Sequence, residues 1–357
     1  MKKVLPIHEK HNIVTPLMYG NILSILLTDN RILPWINSNY VLIEGIVWEG
    51  DQDCLYRDGY SVCMEHNRLP EFLEVKNHIL HDADCIKTIQ ELIDRNEYVY
   101  LQIDEFYLYQ CTKGNEEHLL HDLLIYGYDS DKEKLFVLGV DKNLHYGKLE
   151  ASYESIELAL RNRIDATIWN ENFVNGAYQK WVSENSCLSI QYNADKITFK
   201  YEASAFLALL EQYISDSRVK EVYFTEINSD AVYMGIHYYD LLIKNTYVTN
   251  GYKLFVLINH LFEHKAGMVE KLRYLCERTS ELQLLSFIEQ YRISVYAMAR
   301  QLQLNMLRIN IKMTRNELKE EQLKKEESKI IKMLREMKQE EYRILFKVIT
   351  CLKRYPK

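Results

Sequence analysis

The sequence predicts an α+β chain, with a mixed first part that ends near residues 165–200 and a mainly helical remainder. Three features carry that expectation. Residues 98–104, 119–128 and 135–140 are apolar runs rich in β-branched and aromatic side chains, and separations this short favour antiparallel strands, because parallel ones need a long crossover. Residues 15–28 and 83–94 carry apolar side chains at helical spacing. Beyond residue 202 helix is favoured nearly throughout, and no proline lies between Pro70 and Pro356 to break it.

Taken in order, the first helix spans 15–28, with Thr15 as cap and Pro16 at the first helical position. Leu17, Ile22, Leu23, Ile25, Leu26 and Leu27 give it the broad apolar face of a core helix. A strand follows over 39–48, then an irregular stretch, 49–70, punctuated by Gly50, Gly59 and Pro70 and holding Cys54 and Cys63. Helix 83–94 presents Ile86, Ile89, Leu92 and Ile93, and leads into strand 98–104. A helix over 153–161 and an alternating strand over 197–201 complete the first part. The expected organisation is therefore a domain over 1–165, a connecting segment with a strand over 166–200, and a helical domain over 201–357 whose long helix runs from about 280 to 353.

In that helix, charge of both signs dominates 313–341, as on a solvated face braced by pairs worth ~0.2–0.5 kcal/mol each. Apolar residues return at Ile330, Ile331, Met333, Leu334, Met337, Ile344, Leu345, Val348, Ile349 and Leu352. This stripe must pack on the body of the chain or on a second copy, so a homodimer through the C-terminal region is one expectation.

Composition narrows the classes. The 357 residues are 47% apolar, enough for a substantial core, and the formal charge of −7 argues against nucleic acid as the main partner. Lys2 and Lys3 precede no apolar signal core, and no apolar run approaches ~18 residues, so no membrane span and a cytoplasmic location are expected. The seven cysteines include no Cys-x-x-Cys pair and are expected as free thiols without zinc. His8 and His11 read as a solvated terminus. His260 and His264 stand four apart beside Glu263 but lack the His-Glu-x-x-His order of a zinc site.

The most informative stretch runs from His118 to Asp129 and continues through Leu135 to Asp141. Two antiparallel strands there would bring His121 and Asp141 together, and a carboxylate can hold an imidazole in the tautomer that catalysis needs. The plainer readings are a strand-start histidine bonding a backbone carbonyl, a turn residue before Lys142-Asn143, and a strand-end cap at Asp104.

Asp104 and Tyr107 in Ile103-Asp104-Glu105-Phe106-Tyr107-Leu108, His121-Asp122 before Ile125-Tyr126-Gly127-Tyr128-Asp129, and Asp141 ending the next strand together resemble the N-terminal domain of the butirosin biosynthesis protein H family. Glu263-His264-Lys265 with Met268, Leu272, Arg273 and Leu275 is similar to the helical tails of its relatives. The resemblance covers roughly residues 5–165. It implies a papain-like domain with a Cys-His-Asp triad that transfers an acyl or peptidyl group from a carrier-protein thioester to an amine in specialised-metabolite assembly of the peptide or aminoglycoside type. His121 would be the base, Asp141 its orienter and Asp104 a cleft carboxylate. The phosphopantetheine of an acyl or peptidyl carrier protein would be the substrate arm, with no cofactor in the protein itself.

The chain departs from that pattern where the family places its thiol. Met18 and Tyr19 occupy the first-helix position expected for the nucleophile, and Ser24 lies more than a turn further in. A covalent mechanism would have to draw on Cys54 or Cys63; a base-only mechanism would use His121 without an enzyme nucleophile. The pattern therefore leaves open a transferase, a catalytically degenerate scaffold that binds a carrier protein or partner subunit, and a helical interaction or dimerisation protein.

Overall fold

The computed structural model describes the chain apart from residues 13, 15–16, 40, 48–53, 59–70, 81–83, 112–113, 117, 163–185, 216–230, 245, 247–250 and 355–357. Positions 18–19, 44, 46–47, 54–58, 186, 231–232, 251–253 and 314 are described by backbone alone. Two compact units divide the chain: Met1–Ile32 with Cys63–Thr198, and Leu33–Val62 with Phe199–Lys357.

The chain opens in the first unit with strand β1 (Lys2–Val4) and helix α1 (Leu17–Leu26), then supplies α2 (Leu33–Asn39), β2 (Ile43–Val47) and β3 (Cys54–Asp58) to the second. It returns for β4 (Leu73–Ile79), α3 (Cys85–Asp94), β5 (Tyr98–Asp104), β6 (Leu120–Asp129), β7 (Lys134–Val140), β8 (Tyr146–Ser152), α4 (Tyr153–Arg161) and β9 (Ser186–Tyr192). The second unit then takes α5 (Ala203–Ile214), β10 (Ala231–Met234), α6 (Tyr238–Lys244), α7 (Gly251–Thr279), α8 (Gln283–Tyr291), α9 (Ala297–Thr314) and α10 (Glu320–Arg354).

In the first unit the sheet order is β4-β9-β5-β6-β7-β8 and every pairing is antiparallel. β5 pairs with Leu120 through Ile125 of β6, and β1 pairs with Gly127 through Asp129. The backbones approach so closely there that a Cβ on Gly127 would lie 2.6 Å from the Lys3 carbonyl oxygen, which explains glycine within an otherwise bulky strand. α1 packs against β6. Ile22, Leu23, Ile25 and Leu26 are all buried, as a helix apolar on every side requires.

The α+β class expected from the sequence is present. The alternating strand expected at 197–201 is not formed; the strand is Ser186–Tyr192, inserted between β4 and β5. Cys187, Leu188, Ser189 and Ile190 are consecutively buried, so this interior strand lacks the alternation that flags a half-exposed one. Residues 54–58, expected to be irregular, pair with β2.

In the second unit the helices enclose a core joined by a small antiparallel sheet, β10-β2-β3. The long helix expected from 280 to 353 is interrupted. α8 continues through a π-helical turn, Arg292–Tyr296, into α9, and α9 stops before α10 begins at Glu320. Asn316 adopts φ 54°, its N–H donates to the Met313 carbonyl at 2.9 Å, and the Glu317 N–H reaches the Lys312 carbonyl at 2.9 Å. This is a Schellman stop with asparagine in the left-handed position, so the helix ends without glycine or proline.

Ile330, Leu334, Met337, Ile344, Leu345, Val348, Ile349 and Leu352 of α10 are buried in the core of this same unit. The apolar stripe that suggested a dimer is thus used within one chain. Among the described residues, no helix is long and apolar enough to cross a membrane.

Candidate active site

The site grows from the end of β5. Asp104 closes the strand and caps a single 3-10 turn, Glu105–Tyr107, by accepting the Phe106 N–H at 3.1 Å. The Glu105 N–H donates to the Leu119 carbonyl at 2.9 Å, which ties this turn to the entry of β6. The intervening loop folds back on itself, with the Leu108 N–H on the Glu105 carbonyl at 2.8 Å and the Gly114 N–H on the Cys111 carbonyl at 3.1 Å. A Cβ on Gly114 would fall 2.1 Å from the Leu108 carbonyl oxygen, so only glycine lets the loop close this tightly.

This turn sets two neighbouring carboxylates, Asp104 and Glu105, both buried, against two imidazoles. His118 donates from Nδ1 to Asp104 Oδ2 at 2.6 Å, while Asp104 Oδ1 also takes the Leu119 N–H at 3.2 Å. The His118 ring stacks on Phe106 at 4.3 Å between centroids, and its side chain is 52% exposed. His121, opposite Ile103 in the β5–β6 register, donates from Nδ1 to Glu105 Oε1 at 2.6 Å and keeps 33% of its side chain exposed. Because the carboxylates only accept, each ring carries a proton on Nδ1, and its Nε2 has no hydrogen-bond partner among the described residues.

Burial disfavours the charged form of His121, but the hydrogen bond and charge of Glu105, joined by Asp122, outweigh it and raise its pKa above the ordinary histidine value. In chemical terms each histidine is an oriented imidazole able to take or give a proton at Nε2.

The carboxylate that meets His121 is Glu105. Asp141, expected in that role from the resemblance, accepts the N–H groups of Asn143 and His145, each at 2.8 Å, and closes the β7–β8 turn. Those backbone donors, His145 first, hold its carboxyl below the usual range. Asp104 is both strand-end cap and the partner of His118. Glu105 and His118 are site residues that neither the strand pattern nor the family resemblance singles out. The signal available was the pairing of adjacent acids, Asp104-Glu105, with His-x-x-His thirteen residues later.

No described thiol is placed as a nucleophile. Cys85, Cys111, Cys187, Cys276 and Cys351 are all buried. Cys111, on the loop beside the site, lodges near the position a Gly139 Cβ would take, close to Leu123 and Leu149. Burial, then the charge of Glu105, pushes its thiol strongly up, away from thiolate. Cys63 and the side chains of Cys54, Met18 and Tyr19 lie outside the described residues; Cys54 itself is in β3, opposite Val47.

Ser24 is buried, with its Oγ 2.8 Å from His11 Nε2 and 2.9 Å from the Tyr146 hydroxyl, which donates to Asn21 Oδ1 at 3.0 Å. His11 thus belongs to a network that fastens α1 to β8, not to a solvated terminus. No group of three metal-ligating side chains occurs among the described residues.

The second unit contains a polar cluster of opposite character. Lys265 Nζ of α7 lies 2.9 Å from Glu341 Oε2 of α10, with both side chains fully buried. Tyr239 donates to Glu341 Oε2 at 2.7 Å, Tyr213 to the same oxygen at 3.2 Å, and Tyr291 to Oε1. The ring of His264 receives Lys265 Nζ at Nδ1, 3.3 Å away, and donates from Nε2 to the Val41 carbonyl at 2.9 Å. Burial, and then the Lys265 charge, holds His264 well below the usual histidine range and takes His260 down to about 3.

No family model matches the chain, and no curated protein matches it significantly.

Proposed function

We propose that this chain is an acyl- or peptidyl-transferase of specialised-metabolite assembly, built on a papain-like first domain, that moves an acyl group from a carrier-protein thioester to an amine. The observation that carries the reading is His121, fixed at Nδ1 by buried Glu105 with Nε2 open. The likeness of residues 98–141 to the butirosin biosynthesis protein H family supplies the substrate class.

With all five cysteines whose side chains are described buried, the reaction that fits best is direct attack. The amine nitrogen bonds to the thioester carbonyl carbon, His121 Nε2 takes the proton released from that nitrogen, and the C–S bond breaks as the phosphopantetheine sulfur leaves and regains a proton. The raised pKa of His121 makes it a stronger base, which favours proton removal in the transition state. Glu105 stabilises the imidazolium that forms, the part first assigned to Asp141.

The test uses an acyl-N-acetylcysteamine thioester and a primary amine with the full chain. His121→Ala is expected to reduce product to the uncatalysed level, and an undiminished rate in that variant would end the proposal. Intact-protein mass spectrometry after mixing with the thioester separates the mechanisms: an acyl adduct on Cys54 or Cys63 means covalent catalysis, and no adduct with turnover means direct attack. The same burial of cysteines also favours a second reading, a scaffold that holds a carrier protein without chemistry. Under it, binding survives His121→Ala and the native chain shows no turnover.

A further inference from the structure

Helix α9 divides cleanly into two faces. Ala299, Leu302, Met306 and Ile309 recur at helical spacing and are buried in the core of the second unit. Turned away from them lie Leu304 and Ile311, one heptad apart, and Ile293, eleven residues before Leu304 in the π-helical turn that leads into the helix, is exposed as well. These three large apolar side chains are 39%, 44% and 59% exposed respectively.

Arg300, Arg308, Lys312 and Arg315, all exposed, flank that line. No aspartate or glutamate occurs between Glu289 and Glu317, although the chain as a whole is acidic. Among the described residues Arg300, Arg308 and Lys312 have no ion-pair partner, and Arg315 reaches only the neighbouring Glu317, at 4.0 Å. Several exposed cations of this unit have a carboxylate three or four residues away on their own helix, Arg273 with Glu270, Arg292 with Glu289, Lys324 with Glu320 and Arg343 with Glu340, and α9 offers its cations none. A helix that leaves its cations unpaired around an apolar seam has the pattern of one side of a helix-to-helix contact, with the apolar line as ridge and the charges as selector.

We propose that the exposed face of α9 docks an acidic amphipathic helix of a partner protein, whose apolar residues meet Ile293, Leu304 and Ile311 and whose carboxylates meet Arg300, Arg308, Lys312 and Arg315. A membrane is the poorer fit, because the broad apolar face of α9 is already buried in the core and three isolated side chains offer little to insert. A nucleic-acid backbone would satisfy the cations but leave the leucine and isoleucines wet. An acidic carrier protein meets the same requirement, yet the inference stands whether or not His121 is catalytic.

The test is fluorescence anisotropy of the full-length chain with a labelled helical peptide of about 20 residues, leucine on one heptad seam and glutamate beside it. Expected are saturable binding, loss of binding on raising salt to ~0.5 M, and weakening of about tenfold or more in Arg300→Glu/Arg308→Glu. Leu304→Ser/Ile311→Ser is expected to weaken binding at unchanged salt dependence. Both pairs are exposed, and circular dichroism checks that the fold is kept; His121→Ala is expected to bind as the native chain does. Equal binding of a lysine-for-glutamate peptide, no response to charge reversal, or no binding at all would overturn the proposal. So would preferential binding of phosphatidylglycerol vesicles or duplex DNA through the same arginines, or self-association that charge reversal abolishes.

Discussion

Both units place basic nitrogens against carboxylates, but one arrangement faces water and the other does not. In the first unit, His118 and His121 are fixed at Nδ1 by buried acids and turn Nε2 outward. In the second, Lys265, Glu341, Tyr213, Tyr239 and Tyr291 satisfy one another in a fully buried cluster. An imidazole with an open nitrogen can exchange a proton with a substrate, whereas a sealed cluster can only stabilise or specify the packing of α7 against α10. The contrast predicts that the two sites fail differently when broken.

The largest effect is expected at Glu341. Glu341→Ala leaves a buried ammonium and three buried tyrosine hydroxyls without their acceptor, and breaking such a pair costs ~3–5 kcal/mol. Urea unfolding is expected to show that loss, while a joint Lys265→Met/Glu341→Leu change recovers much of it by removing both charges. A Glu341→Ala chain as stable as the native one would remove the sealed-cluster side of the comparison.

Next comes Glu105. Glu105→Gln is expected to lower transfer ~10²–10⁴-fold, the range for general acid–base catalysis. It is also expected to lower the pKa of His121, read by NMR without any substrate. A lowered pKa with unchanged transfer would keep the geometry and discard the mechanism.

His121 of the first unit and His260 and His264 of the second also respond to pH with opposite sign. His260 and His264 have folded pKa values below the unfolded value of about 6.5. The folded state therefore binds fewer protons, and stability present above that pH falls as the pH drops, by about 1.4 kcal/mol per unit for each such group. His121 has a raised folded pKa, so its contribution is fully present below about 6.5 and is lost as the pH rises through the folded value. Hydrogen exchange followed by unit is expected to show α7 opening on acidification while the β5–β6 turn does not. Joint opening of both would indicate that one transition controls the whole chain.

The same contrast explains what could be read from the sequence. Strands β5, β6 and β7 are sheet-interior runs of large apolar residues and stood out at once. Strands β4 and β8 are the two edges of the sheet, and Leu73-Glu74-Val75-Lys76 and Lys148-Leu149-Glu150 read as polar chain. His121 was legible because a short strand carried it, but its partner was not. Glu105 meets it across a loop that reverses the chain, and Asp141 looked equally well placed until the turn claimed it. Glu341 was hidden among Lys338, Glu340 and Arg343, because charge on a helix reads as solvated surface. Its one signal was position: it falls four residues after Met337 and three before Ile344, on the apolar stripe itself.

The smallest expected effect decides between the two carboxylates that compete for His121. Asp141 holds two backbone donors of an exposed turn, and Leu144, at φ 62°, depends on that closure. Asp141→Ala removes the turn's side-chain acceptor, and a fall in melting temperature of about 2–4 °C at most is expected. Asp141→Asn should restore most of it, since an amide oxygen can still accept from Asn143 and His145. Transfer and the pKa of His121 are expected to stay near native in both variants, because the carboxylate at His121 Nδ1 is Glu105. If Asp141→Asn instead lowers transfer as far as Glu105→Gln does, the turn carboxylate acts on His121 in the working state, and the orienting role returns to the residue that the resemblance first assigned.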